Sequence, residues 1–199
     1  MEKFSLFPVI GLAVSLASLP AMAAQNTTFP MVRSAAAAAA DCIPNAKAKV
    51  TINSLGPVEN MHIEATGLPA NTEFDAFVIQ VPNTPFGLSW YQGDLETDEN
   101  GRGVADFVGR FSVETFIVAP GVASAPVVHN EPIPDANANP ATGPVHTFHV
   151  GLWFGSPQAA QAAGCPANVT PFNGDHNAGI QALSTRNFGN LNGPLRKIK

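Results

Sequence analysis

Hydrophobic and polar residues alternate with a period of two in several short segments of this chain. In "AKVTINS", Val50 and Ile52 alternate with polar residues, and in "VENMHIEAT" the residues Met61 and Ile63 do the same. Successive side chains of a β-strand point to opposite faces, so this period is typical of a strand with one buried face. Both segments are therefore predicted to be half-buried strands.

Two further stretches extend the predicted sheet. The segment "FDAFVIQV" (residues 74–81) is almost continuously apolar, which is typical of a strand at the centre of a sheet. The segment "VADFVGRFSV" (residues 104–113) alternates again, and it follows a turn that contains Asn100-Gly101. Both turn residues tolerate a positive φ, so this turn predicts a hairpin.

The rest of the pattern contains one short helix and one long loop. In "GSPQAAQAAGCP", Ser156 suits the N-cap, Pro157 the first helical position and Gly164 the left-handed stop. The stretch from Ala119 to Pro144 contains six prolines and no period. A loop of this length is uncommon inside a compact domain, and it indicates either a functional or a disordered segment.

Short strands, hairpin turns and one short helix predict a mainly β fold, an antiparallel β-sandwich. The turns around Gly67-Leu68-Pro69 and Asn100-Gly101 belong to the segment "TGLPANTEF…LETDENGRGVADF". This segment resembles exported bacterial modules of the immunoglobulin and fibronectin type III kind. The whole mature region also resembles uncharacterised secreted proteins. The resemblance implies an immunoglobulin-like sandwich and export, but no activity.

The N-terminal segment predicts export. Lys3 precedes an apolar stretch, and Ala21-Met22-Ala23 provides the small-x-small pattern that a signal peptidase cuts, so residues 1–23 are predicted to be a signal peptide. The Ala-rich residues 24–40 lack any period and predict a disordered leader. A single domain is expected over residues 41–199, secreted or periplasmic, with no membrane span in the mature chain.

Charge and cysteine content narrow the partners and the compartment. Charged residues make up 13% of the chain and the net charge is −5, which argues against nucleic acid and anionic membrane surfaces as partners. The chain has two cysteines, Cys42 and Cys165. In an oxidising compartment we expect them to form a mutual disulfide, and the alternative is a catalytic thiol.

The stretch "VHTFHVGLWFG" raises the possibility of a metal site. If residues 145–154 form a regular strand, His146 and His149 point to opposite faces and cannot share one ion. A zinc or copper site would therefore combine one strand histidine with loop residues. The candidate ligands are His149, His176, Asp175 and His129, with the loop acids Glu131 and Asp135. The alternative is that His146 is a hydrogen-bonded core or rim residue and that His129 and His176 belong to exposed loops.

The sequence "HTFHVG…AAGC…PFNGDH" resembles part of Cu,Zn superoxide dismutase, which is itself a β-sandwich. The resemblance implies that His149 is a strand ligand, Cys165 the disulfide cysteine and His176 a later zinc ligand. Gly151 stands where the second strand ligand of that family belongs, and the last copper histidine has no counterpart. These departures leave dismutase activity without its ligand set.

Aromatic residues and missing motifs favour a binding role over catalysis. Trp90, Tyr91 and Trp153 are candidates for a ligand surface, because their flat rings suit a sugar or an apolar group. The chain has no G-x-S-x-G, no H-E-x-x-H and no glycine-rich phosphate loop. We therefore expect an exported, non-catalytic binding or cell-envelope module of unknown ligand, without a cofactor, in which loop 119–144 contacts the partner. The alternative is a metal-binding exported protein or metalloenzyme that uses His149 and His176.

Overall fold

The fold is mainly β and antiparallel. A computed structural model describes residues 26–120, 142–170 and 176–199. The predicted signal peptide and most of the predicted loop therefore lie outside the described residues. In the described part, no helix is long and apolar enough to cross a membrane. The elements, with one further 3-10 helix at Pro194–Lys197, are β1 (Asn26–Arg33), α1 (Ala35–Ala39), β2 (Lys47–Ser54), β3 (Glu59–Thr66), β4 (Glu73–Ile79), β5 (Ser89–Glu96), β6 (Gly103–Gly109), β7 (Ile117–Pro120), β8 (Thr142–Val145), β9 (His149–Phe154), α2 (Pro157–Ala162) and β10 (Gln181–Ser184).

Eight of the strands form one nearly closed sheet, in the order β5-β4-β9-β10-β1-β2-β3-β6. The sheet has two four-stranded halves, β5-β4-β9-β10 and β1-β2-β3-β6. β1 connects them, because it pairs with β2 over most of its length while Val32 and Arg33 pair with β10. The two edge strands meet at a single bridge between Thr97 and Gly103. β7 and β8 form a separate antiparallel pair at the base of the predicted long loop.

One main hydrophobic core contains residues from both halves of the sheet. Val50 and Ile52 of β2 and Ile63 of β3 are fully buried there, as the alternating pattern predicts. They pack in the same cluster as Phe74 and Phe154, whose ring centroids are 4.9 Å apart. Burying one large apolar side chain stabilises the fold by about 1.5–3 kcal/mol, so these residues account for much of its stability.

The strands β4 and β9 are also covered on their outer face. Phe77 and Ile79 of β4 pack with Trp153 of β9 in a second, smaller cluster that includes Ala178. Phe86 packs against the same cluster, with its ring centroid 4.9 Å from that of Trp153. Burial on both faces explains why the sequence of β4 is almost continuously apolar.

The prediction of a disordered leader is wrong from Asn26 onward. Residues 26–33 form β1, which lies inside the sheet, and Ser34 caps α1 by accepting a hydrogen bond from the Ala37 amide at 3.0 Å. Only Phe29 and Met31 of β1 are buried, which is too few residues to show a period in the sequence. Backbone pairing with β2 and β10, together with the burial of Phe29 and Met31 in the core, holds this segment in place.

The turn around Gly101 connects the two halves of the sheet. Gly101 has a φ of 71°, and the amide of Asp98 donates to the Arg102 carbonyl at 2.8 Å. The paired ladder of a hairpin is absent beyond the Thr97–Gly103 bridge, because β5 pairs with β4 and β6 pairs with β3. The predicted turn is therefore present, but its two strands diverge into different halves of the sheet.

The predicted helix and disulfide are confirmed. Ser156 caps α2 by accepting a hydrogen bond from the Ala159 amide at 3.1 Å, and Gly164 follows the helix with a φ of 75°. Cys42 and Cys165 are disulfide-bonded and both are buried. The bond joins the segment after α2 to the segment between α1 and β2.

We expect the double variant Cys42→Ala/Cys165→Ala to lose about 2–5 kcal/mol of unfolding free energy, measured by urea denaturation. The two cysteines are 123 residues apart in sequence, so the bond restricts the unfolded chain strongly. Dithiothreitol added to the unaltered protein should produce a similar loss. A double variant as stable as the oxidised protein would contradict this expectation.

Candidate metal centre

The first two candidate ligands lie on β4. Glu73 and Asp75 are two residues apart, so both side chains point to the outer face of the sheet while Phe74 points into the core. Asp75 lies opposite Trp153 in the pairing with β9. The Gly155 amide donates to the Glu73 carbonyl at 2.9 Å, which fixes the start of β4 against the end of β9. Two carboxylates are thereby held side by side on a rigid strand.

The third candidate ligand, His176, belongs to the segment of residues 176–180, which lies against this face. The backbone groups of Thr170 and Ala178 form two hydrogen bonds, of 2.8 and 3.2 Å. The Gly179 amide donates to the Phe154 carbonyl at 2.7 Å. Ala178 is buried in the second, smaller cluster with Phe77 and Trp153. These contacts tie the segment to β9 and bring the imidazole of His176 to the two carboxylates.

The three side chains bring one possible ligand atom each close to a common point. The Nε2 atom of His176 lies 3.8 Å from Oε1 of Glu73 and 3.8 Å from Oδ1 of Asp75. One ligating atom from each residue falls within 4.8 Å of the other two, and the described residues contain no other such group of three His, Cys, Asp or Glu side chains. Two ligand atoms bound to one tetrahedral zinc lie about 3.3 Å apart, which is close to these distances.

The burial of Asp75 beside a second carboxylate favours positive charge between these groups. The side chain of Asp75 is fully buried, whereas those of Glu73 and His176 are 45% and 38% exposed. Two neighbouring carboxylates repel each other, and burial makes an ionised carboxylate costly unless positive charge lies beside it. A divalent ion at the convergence point would neutralise both carboxylates at once.

His149 does not belong to this group. It lies opposite Ile79, four positions along β4 from Asp75, and it is completely buried. Its Nε2 lies 3.1 Å from the Asn190 carbonyl, which only accepts, so Nε2 carries the proton and Nδ1 accepts from the Thr185 hydroxyl at 2.9 Å. Burial lowers the pKa of His149 below its usual value. The structure thus places His149 in a hydrogen-bonded core position.

His146 is also held by hydrogen bonding and stacking. The predicted continuous strand over residues 145–154 is wrong, because β8 ends at Val145 and β9 begins at His149. Nδ1 of His146 lies 3.0 Å from the Thr115 carbonyl, and its ring stacks on that of Phe148 with centroids 4.7 Å apart. The break arises because β8 pairs with β7 whereas β9 pairs with β4.

The predicted aromatic ligand surface is divided by the fold. Trp90 and Tyr91 of β5 are 59% and 43% exposed, and the Tyr91 hydroxyl donates to Asp94 at 2.6 Å. Trp153 is completely buried, so it does not belong to an exposed surface with them. Trp153 is buried because other residues, including Phe86, pack over the outer face of β9. Trp153 and Phe86 instead line a cavity of about 800 Å³ next to α1.

The sequence identified one of the three converging ligands. His129 and Asp175, like the loop acids Glu131 and Asp135, lie outside the described residues. Glu73 and Asp75 were missed as candidate ligands, although a Glu-x-Asp spacing at the start of an apolar strand was a usable signal. Such a spacing places both carboxylates on one face of the strand.

The free energy of unfolding should fall as the pH drops below about 6.5, the ordinary pKa of histidine. The buried His149 has a lowered pKa in the folded protein, so the unfolded chain takes up this proton first. The stabilisation is therefore complete above pH 6.5 and is lost toward the folded pKa. Denaturant titrations between pH 5 and 7.5 with EDTA present would measure it. In His149→Gln this pH dependence should be weaker, and an unchanged profile would contradict the assignment.

No protein-family model, no curated protein and no solved structure matches this chain in the comparisons with known proteins.

Proposed function

We propose that this protein is an exported, non-catalytic binding module whose ligand is a divalent transition-metal ion. Glu73, Asp75 and His176 would hold the ion. The observation that carries this proposal is the convergence of their three ligating atoms within 4.8 Å. The proposal joins the expected binding module to its metal-binding alternative, and it retains His176 but replaces His149 with the two carboxylates of β4.

The donor set favours zinc or a similar ion. Zinc binds imidazole nitrogen and carboxylate oxygen, commonly with four ligands in a tetrahedral arrangement. Calcium takes six to eight oxygen ligands, and magnesium also prefers oxygen, so an imidazole in the group disfavours both. Copper suits imidazole as well, and a competition titration distinguishes it from zinc.

We further propose that the protein is secreted or periplasmic and that its nearly closed sheet is an immunoglobulin-like sandwich. The small-x-small pattern at residues 21–23 and the Cys42–Cys165 disulfide support export, since disulfides persist in oxidising compartments. Two four-stranded halves, β5-β4-β9-β10 and β1-β2-β3-β6, contribute to one core, which supports a sandwich. The partner beyond the metal is an envelope component or a ligand of unknown identity.

The purified protein, stripped with a chelator and dialysed, should bind about one equivalent of zinc in isothermal titration calorimetry. His176→Ala should weaken zinc binding by at least about 100-fold, because loss of a direct ligand costs more than loss of an outer-shell partner. Zinc should also raise the melting temperature of the unaltered protein and leave that of His176→Ala unchanged.

His62→Ala is the matched control for this experiment. His62 is a partly exposed histidine on β3, and its Nδ1 lies 2.9 Å from Oδ1 of Asp106. It is not one of the three converging residues. Its loss should leave zinc affinity unchanged. Equal zinc binding by His176→Ala and the unaltered protein would reject the proposed function, and so would equal losses in both variants.

Export makes a separate prediction. When the full chain is expressed in a bacterium, we expect the exported fraction to contain a protein that begins at Ala24 and has its disulfide formed, as judged by intact-mass spectrometry. Ala23→Asp should block cleavage because the site requires a small residue, leaving the uncut precursor. A cytoplasmic, uncut and fully reduced product from the unaltered chain would contradict export.

A further inference from the structure

We propose that the metal ion at this centre keeps one coordination position open toward a neighbouring cavity, and that a small neutral nitrogen donor, such as an imidazole, binds there. This inference rests on the proposed function. It adds a ligand class to the metal site and identifies the surface through which that ligand reaches the ion.

The cavity lies next to the metal ligands. It has a volume of about 650 Å³, and both Glu73 and His176 line it. Its other walls come from the turn before β4, including Pro69, and from α2, including Ala159 and Ala162. Small-molecule sites commonly have volumes of about 300–1,000 Å³, so the cavity is large enough for a ligand with a single ring.

The burial of the three ligands sets the direction of the open position. Asp75 is fully buried, so the protein closes that side of the ion. Glu73 and His176 are partly exposed and both line the cavity, so the accessible side of the ion faces it. Three protein ligands with a fourth position for an external ligand are the usual arrangement of an open zinc site.

The charges of the site select a neutral ligand. One divalent ion with the carboxylates of Glu73 and Asp75 has no net charge when His176 is neutral. Among the described residues that line the cavity there is no lysine or arginine to balance an added anion. The methyl groups of Ala159 and Ala162 make part of the wall apolar. A neutral nitrogen heterocycle fits both the charge and the wall better than a carboxylate does.

The test uses the purified exported protein loaded with cobalt. The visible absorption spectrum of the bound cobalt ion changes when its coordinating ligands change. Imidazole should change this spectrum saturably while elemental analysis shows that cobalt stays bound. Acetate, of similar size but negatively charged, should bind at least about tenfold more weakly. Acetate binding as tight as imidazole would overturn the ligand class, and the absence of any saturable change with cobalt bound would overturn the open position.

Two leucine variants on α2 test the placement of the ligand. Ala162 is exposed and lines the cavity, so Ala162→Leu should narrow it and weaken imidazole binding by at least about tenfold without altering cobalt affinity. Gln161 is exposed on the same helix but does not line the cavity, so Gln161→Leu should bind imidazole normally. Equal imidazole affinities in the two variants would overturn the proposal. Failure of the unaltered protein to bind cobalt would instead reject the proposed function.

Discussion

The burial of β4 and β9 on both faces is the constraint on which the rest of the structure depends. Their inner faces, with Phe74 and Phe154, pack in the main core. Their outer faces, with Phe77 and Trp153, are also apolar and require other residues to pack over them. Part of that cover comes from Phe86, and part from Ala178 and the backbone of Gly179. An uncovered outer face would expose a contiguous apolar patch, which folded proteins rarely leave open to water.

The packing over the outer faces of β4 and β9 also forms the candidate site. Ala178 packs in the cluster around Trp153 and Gly179 bonds to β9, and these contacts hold the neighbouring His176 beside the two carboxylates. Asp75 is a buried acid whose Oδ1 lies 3.8 Å from Nε2 of His176, and burial makes an ionised carboxylate costly unless positive charge lies nearby. The packing that stabilises the sheet therefore also positions the three ligands, and metal binding would be coupled to the stability of this outer layer.

Elements whose signals lie within one short segment were predicted from the sequence, whereas features set by pairing with other parts of the chain were not. α2 was predictable because Ser156, Pro157 and Gly164 mark its ends within one short segment. β2 and β3 were predictable because each has one buried face. β1 was missed because only two of its residues are buried, and its pairing with β10 depends on a strand far away in sequence. The strand break before His149 was missed for the same reason, since β8 and β9 pair with different partners.

The sequence by itself determined the mainly β character and the capped helix, because alternation and capping residues act locally. It also determined the disulfide, because two cysteines allow one intramolecular pairing. The tertiary structure decided which polar residues meet. Glu73 and Asp75 come from one strand and His176 from a segment about a hundred positions later, and only the cover over β9 brings them together. It also decided that His149, the most conspicuous histidine in the sequence, lies buried with both ring nitrogens engaged.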